Sequence, residues 1–314
     1  MKKIFIDGSE GTTGLRIHER FQGRDDIEIL SIDPEKRKDP QERKKMIAAS
    51  DITFLCLPDA AAIEAAELAE GEDVILIDSS TAHRTQEGWA YGFPELSERH
   101  REAIVHGKRI AVPGCHATGL ISLAYPLVAA GVMPADYPVV SYSLTGYSGG
   151  GKKMIAQYEA RERDVELDSP REYGLTQKHK HLKEMQQVVG LARAPLFSPI
   201  VADYYSGMLV TLPLYLELLN GSQNVESVHA LYEKHYADQP FIRVMPLGAE
   251  SETGGFLAGN SVSGWDGLRI YVSGNEERIQ VASQFDNLGK GASGAAVECL
   301  NLVLGCDPAK GLHL

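Results

Sequence analysis

Lys3-Ile4-Phe5-Ile6-Asp7-Gly8-Ser9-Glu10-Gly11-Thr12-Thr13-Gly14-Leu15 decides the fold class, because an apolar strand pattern runs at once into a glycine loop and then into a helix pattern. Backbone N–H groups at the start of such a helix point at whatever sits above the strand end, and a pyrophosphate fits there. The glycines are spaced Gly-x-x-Gly-x-x-Gly, one residue longer at the front than the usual dinucleotide fingerprint. The order of strand, loop and helix therefore carries the reading more than the glycines do. Gly8, Ser9, Gly11, Thr12, Thr13 and Gly14 are the candidate cofactor-binding residues of this loop.

Outward from this unit, apolar runs at 4–7, 27–32, 52–57, 74–78 and 109–112 alternate with helical patterns at 15–21 and 60–69. Such alternation predicts a parallel sheet. Beyond Cys115 the runs lengthen and alternate in polarity, at 139–145, 208–216, 242–246, 267–272 and 278–285, which predicts a mixed or antiparallel second sheet. The stretch 291–304 reads as a helix with Ala292, Ala295, Ala296, Cys299, Leu300 and Val303 on its apolar side, returning to the first domain. The expected architecture is α/β: a Rossmann-type parallel-sheet domain over 1–116 and 288–314, and an α+β catalytic and oligomerisation domain over 117–287. The charged run 36–45 reads as a solvated face.

At 314 residues the chain exceeds one compact unit. A formal charge of -12 argues against nucleic acid or an anionic membrane surface as a partner. No apolar run approaches a membrane span, and the first apolar run is too short for a signal sequence, so a cytoplasmic setting is expected. Cys56, Cys115, Cys299 and Cys306 lack Cys-x-x-Cys spacing, which fits a reducing compartment and no bound metal.

The candidate for chemistry is Pro113-Gly114-Cys115-His116-Ala117-Thr118-Gly119, a cysteine in a glycine-flanked turn where a strand pattern yields to an apolar helix. The helix N-terminus favours the thiolate and offers N–H groups to an oxyanion. Gly146-Tyr147-Ser148-Gly149-Gly150-Gly151-Lys152-Lys153 nearly spells a P-loop but ends in lysine where magnesium needs a hydroxyl, so it suits an acyl phosphate or inorganic phosphate better than a nucleoside triphosphate. His179-Lys180-His181-Leu182-Lys183-Glu184 places two imidazoles two residues apart, sharing one face on an extended segment, with Glu184 or a neighbour to orient one as acid and base for Cys115. After the second strand run, Asp33 suits a ribose 2′-hydroxyl, whereas Ser31, Lys36, Arg37 and Lys38 suit a 2′-phosphate, and the reading favours NADP(H). A cysteine nucleophile, a nicotinamide site and a phosphate-holding loop together imply a thioester on Cys115, with hydride exchanged at the substrate carbonyl.

Five stretches, 8–14, 78–84, 113–119, 179–185 and 286–294, resemble in order the N-acetyl-γ-glutamyl-phosphate reductases of arginine biosynthesis, shorter type. The resemblance implies NADPH-dependent reduction of N-acetyl-γ-glutamyl phosphate to the semialdehyde and phosphate, by a homo-oligomer, dimer or tetramer. It implies Cys115 as nucleophile and His181 as acid and base, with His179, Arg84, Ser148 and Gly149 near the substrate. It also implies cofactor contacts from Ser79, Asn287, Lys290 and Gly291. Two departures stand out: Val112 and His116 where the family usually shows Asn and Tyr around Pro-Gly-Cys, and Leu182-Lys183-Glu184 where it usually shows Pro-Glu. The competing expectations are aspartate-semialdehyde dehydrogenase or a related acyl-phosphate reductase, and a non-catalytic NADP-binding redox sensor.

Overall fold

A computed structural model describes residues 1–9 and 11–314, and of Thr12 the backbone alone. The chain divides into two compact units, Met1–Gly114 with Ala292–Leu312, and Cys115–Gly291 with His313–Leu314.

In the first unit β1 (Lys2–Asp7), β2 (Ile27–Leu30), β3 (Ile52–Leu55), β4 (Ile75–Asp78), β5 (Ala90–Tyr91) and β6 (Arg109–Ala111) form one sheet in the order β2-β1-β3-β4-β6-β5. Every pairing in it is parallel. The crossovers carry α1 (Thr12–Arg20), α2 (Pro40–Ala49), α3 (Asp59–Leu68) and α4 (Glu98–Val105). Successive β1 side chains enter opposite cores: Ile4 and Ile6 join Ile17 and Phe21 of α1, while Phe5 joins Ile47 of α2 and Ala62 and Ala65 of α3. A sheet covered on both faces needs the near-continuous apolar strands seen in the sequence.

The charged run is not wholly solvated. It enters α2, where Arg43 is buried, its Nε donating to Asp7 Oδ2 at 2.9 Å and its guanidinium also pairing with Glu64 and the Ala61 carbonyl. Burial pushes the Asp7 carboxyl above its usual range against the pull of Arg43, so this pair ties α2 to the end of β1 just before the glycine loop.

The second unit holds α5 (Cys115–Ala129), β7 (Val140–Gly146), α6 (Gly151–Tyr158), β8 (Arg171–Glu172), α7 (Leu182–Val189), β9 (Leu196–Ala202), β10 (Met208–Tyr215), α8 (Val225–His235), β11 (Ile242–Val244), β12 (Leu268–Gly274) and β13 (Arg278–Phe285). Its seven strands run in the order β11-β12-β13-β10-β7-β9-β8. The sheet is mixed: β7–β9 and β11–β12 are parallel and the rest antiparallel.

Helix α5 lies against β10 and β13 at Gly119, where a Cβ would meet Val210 Cγ2 at 2.3 Å and Phe285 Cε1 at 3.0 Å. Pro126 inside α5 has no N–H for the Ser122 carbonyl, and the Tyr236 hydroxyl donates to that carbonyl at 2.8 Å instead. After β13 a single π turn, Gly289–Ser293, leads into α9 (Gly294–Leu304), whose Ala295, Ala296, Val297, Cys299, Leu300 and Leu302 complete the first unit's core beside Ile4 and Ile52.

Candidate active site

Cys115 is the first residue of α5, so its side chain stands in the helix's first turn beside N–H groups that lack intrahelical acceptors. Gly291 packs directly on it: a Cβ there would lie 3.0 Å from Cys115 Cβ. Any larger residue at 291 would press on the thiol. Cys56 is half-buried against the first unit's core, where desolvation pushes its thiol up to about 12.

Around the start of α5 the second unit gathers rings. The His116 imidazole is buried between Ser143 of β7 and Tyr173, with Nδ1 2.6 Å from Ser143 Oγ and Nε2 2.6 Å from Tyr173 Oη. His179 and His181 follow at ring distances of 5.5 and 5.7 Å from His116, and lie 4.7 Å from each other. Phe197 of β9 closes the group against His116 and His179. Burial, with His179 and Lys180 nearby, lowers the His116 pKa to about 3, so this ring stays neutral through the physiological range.

The histidine pair is not on an extended segment. A turn at 180–181 brings it to the N-terminus of α7, and His179 Nδ1 accepts the His181 backbone N–H at 3.2 Å. That bond leaves the ring proton of neutral His179 on Nε2. His181 is buried at the N-cap of α7, and Glu184 is buried in the first turn.

The second glycine loop is a built turn. Tyr147 and Ser148 donate their backbone N–H groups to the Tyr204 and Tyr205 carbonyls, and Ser148 Oγ accepts from Asn287 Nδ2 at 3.0 Å. Asn287 Oδ1 in turn accepts the Gly207 N–H at 2.8 Å. Asn287 and Ser148 thus bind each other and neighbouring loops, and the N–H groups of 147 and 148 are not aimed at an anion. Gly149 follows in the same 3₁₀ turn, and Lys152 and Lys153 are exposed at the start of α6.

In the first unit, Gly8 sits at φ +86°, and a Cβ there would lie 2.3 Å from the Cys56 carbonyl oxygen; at Gly14 it would lie 2.6 Å from the Gly8 oxygen. Both positions exclude a side chain. Helix α1 starts at Thr12 after Gly11, whose own N–H closes the turn onto the Gly8 carbonyl at 3.0 Å, and among the described residues no side chain caps the helix, so the N–H groups of Thr12 and Thr13 present a cradle that fits an anion. The Thr12 side chain lies outside the described residues, and Ser9 is half-buried in the loop. Ser31, Lys36 and Arg37 are exposed beyond β2. Asp33 Oδ1 accepts the Glu35 N–H at 3.0 Å, closing its own turn.

The two family models that match are described as semialdehyde dehydrogenase, NAD binding domain, over residues 1–104, and semialdehyde dehydrogenase, dimerisation domain, over residues 115–287. The N-acetyl-gamma-glutamyl-phosphate reductase of Brucella ovis is 47% identical, with 96% of this chain and 99% of that protein covered. N-acetyl-gamma-glutamyl-phosphate reductase 2 of Nostoc sp. is 43% identical, with 99% of each covered, and the reductase of Burkholderia cenocepacia is 44% identical, with 98% of each covered. This chain belongs to the N-acetyl-gamma-glutamyl-phosphate reductase family. Residues 1–104 are accordingly its NAD(P)-binding domain.

Among solved structures, an aspartate semialdehyde dehydrogenase from Francisella tularensis has a TM-score of 0.74 at 15% identity, covering 97% of this chain and 100% of its own. One from Candida albicans, with NADP, has a TM-score of 0.66 at 14% identity, covering 98% and 99%. At that identity the likeness is one of fold.

Several positions that the reductase resemblance assigns to ligands also have protein partners in the structure. Arg84 is buried in the first unit, where Nε donates to the Val112 carbonyl at 2.8 Å and Nη2 to the Ser79 carbonyl at 3.0 Å. It braces the end of β6. The Ser79 hydroxyl donates to the Leu55 carbonyl at 2.9 Å. Lys290 is buried with its ammonium 4.9 Å from the centre of the Phe241 ring, a cation–π contact inside the second unit. Sequence reasoning missed Ser143 and Tyr173 altogether, and treated His116 only as a departure. Their signal is tertiary, since 143 and 173 meet 116 only through the sheet. Among the described residues no group of three or more His, Cys, Asp or Glu is placed to hold a metal, and no helix is long and apolar enough to cross a membrane.

Proposed function

We propose that the chain reduces N-acetyl-γ-glutamyl phosphate to N-acetylglutamate semialdehyde and phosphate with NADPH. The observation that carries this is Cys115 as first residue of α5, next to His116, whose ring lies 5.5 Å from His179 and 5.7 Å from His181, in a chain 43–47% identical over nearly its full length to proteins named for that reaction. The Cys115 thiolate attacks the acyl carbonyl, a C–S bond forms, and phosphate leaves with the C–O bonding pair. The nicotinamide, when bound, supplies a hydride. His181 holds the proton at the substrate oxygen and takes it up as the carbonyl re-forms and the C–S bond breaks. His179, with Nδ1 committed to the His181 backbone, turns Nε2–H toward substrate.

NADPH over NADH is supported by Asp33, whose carboxylate closes its own turn, and by the exposed Lys36 and Arg37 that follow it. A homodimer or higher oligomer is supported by the uncovered apolar side chains on one sheet face, Tyr142, Leu196 and Tyr215. A cytoplasmic setting is consistent with the absence of a disulfide at any of the four cysteines.

The test is phosphate-dependent reduction of NADP by purified protein with N-acetylglutamate semialdehyde, beside aspartate semialdehyde and beside NAD. Turnover of the first aldehyde alone, at least tenfold faster with NADP, is the expected result. Turnover of the second alone would replace the substrate. Silence with both, despite cofactor binding, would favour a sensor.

A further inference from the structure

The chain Ser143–His116–Tyr173 has a direction. Ser143 Oγ is buried, and among the described residues the His116 ring is its only side-chain partner, so the hydroxyl proton goes to His116 Nδ1. A neutral imidazole that accepts at Nδ1 carries its proton on Nε2. Nε2–H therefore donates to Tyr173 Oη, and the tyrosine's own proton is left to point elsewhere. No other described protein group takes it. Tyr173 is itself anchored, since it follows β8 directly and its backbone N–H donates to the Pro199 carbonyl of β9 at 3.0 Å.

We propose that Tyr173, oriented by His116 and Ser143, is a further catalytic hydrogen-bond donor, its O–H directed at the oxygen that turns anionic when an acyl group adds to Cys115. This rests on the acyl-transfer reading above. His116 occupies the position next to the nucleophile, so the relay begins one residue from the sulfur whose product it serves. Burial and a negative charge at Cys115 both push the Tyr173 hydroxyl above its usual range, so it keeps its proton and acts by donation alone. As the thiolate forms the C–S bond, the carbonyl π pair moves to oxygen; the Tyr173 proton stays on Oη and its hydrogen bond shortens. On collapse the pair returns and the leaving group departs. A donor placed for the charged oxygen rather than the neutral carbonyl lowers the barrier without tightening ground-state binding.

The experiment uses the full chain and p-nitrophenyl acetate, which acylates a reactive thiol through the same kind of oxyanion and needs neither cofactor nor the natural substrate. The burst of p-nitrophenolate should be absent in Cys115→Ser and slower by about 100-fold in Tyr173→Phe. Alkylation of Cys115 by iodoacetamide, a displacement with no oxyanion, should change by less than about twofold in Tyr173→Phe, as expected for a donor that acts only on the charged oxygen. An unchanged burst overturns the proposal, and so does an equal loss in both reactions, which would place Tyr173 on the thiol or on the fold. The orientation is read separately from ¹⁵N shifts of the wild-type histidines, with His116 assigned by its disappearance in His116→Phe. A proton on Nε2 is expected; a proton on Nδ1 would make Tyr173 the donor to His116 and overturn the direction. Wild type that shows the burst but does not turn over N-acetylglutamate semialdehyde leaves the relay standing and removes only the substrate assignment.

Discussion

A serine at position 115 keeps the shape of the thiol and loses its acidity, so Cys115→Ser should abolish turnover while NADPH affinity stays within about twofold of wild type, read by fluorescence titration. Cys56 provides an internal comparison: with its thiol pushed to about 12, iodoacetamide at pH 8 should label Cys115 and leave Cys56 unlabelled in peptide mapping of native protein. His116 makes a prediction about pH. Its folded pKa of about 3 lies below the unfolded value of about 6.5, so the unfolded chain takes up a proton first as the medium acidifies. The stability held at neutral pH is therefore lost as pH falls from about 6.5 toward 3. Between pH 7 and pH 5 this one group should cost wild type about 2 kcal/mol that His116→Gln does not lose. Urea unfolding of both proteins at the two pH values checks it: the gap between them should narrow at pH 5. The identity of residue 116 was plain in the sequence, but its buried, neutral state was not, because desolvation comes from Phe197, Tyr173 and His179 on distant segments.

At the scale of elements, α2 shows how a helix escapes notice. Only Arg43 and Ile47 of its ten residues are buried, and one of those is a charge, so no apolar stripe marks it. Removing that charge should be costly: Arg43→Met leaves Asp7 buried without its partner, a loss of about 3 kcal/mol or more in urea unfolding. The sign of its pH dependence follows from the raised Asp7 pKa. A carboxyl favoured in its protonated form loses stability as pH rises through the folded pKa, so the penalty should be larger at pH 8 than at pH 5. Strand β9 was hidden for another reason. Pro199 within it has no N–H and argues against an interior strand, yet it pairs in register with Ser143 between β7 and the short β8. Strand β13 over 278–285, by contrast, was legible in its bounds, since exposed Arg278 and Gln280 alternate with buried Ile279 and Val281 at its start and side-chain alternation is a local property.

At the scale of the molecule, the first unit is closed by residues from the far end of the chain. Six apolar side chains of α9 are buried in the core built on β1 and β3. A protein ending at Gly291 should expose that core and appear in the insoluble fraction on expression, whereas the separate addition of a peptide spanning 292–314 should recover part of the soluble material.

Sequence alone determined the class of each sheet, the turn at Gly8 and the place of Cys115 at a helix start, because these depend on side-chain period, on backbone freedom and on neighbours within a few residues. Which protein groups the polar side chains meet was decided by tertiary structure. Arg84, Ser79, Asn287 and Lys290 are expected at ligands from the resemblance, and the fold also gives them carbonyls, an amide, a hydroxyl and an aromatic ring as partners. His116, Tyr173 and Ser143 look unrelated until β7 and β9 bring them within hydrogen-bonding distance. The physical reason is that a buried polar group must find its partner wherever the sheet register places one, and register is a long-range property.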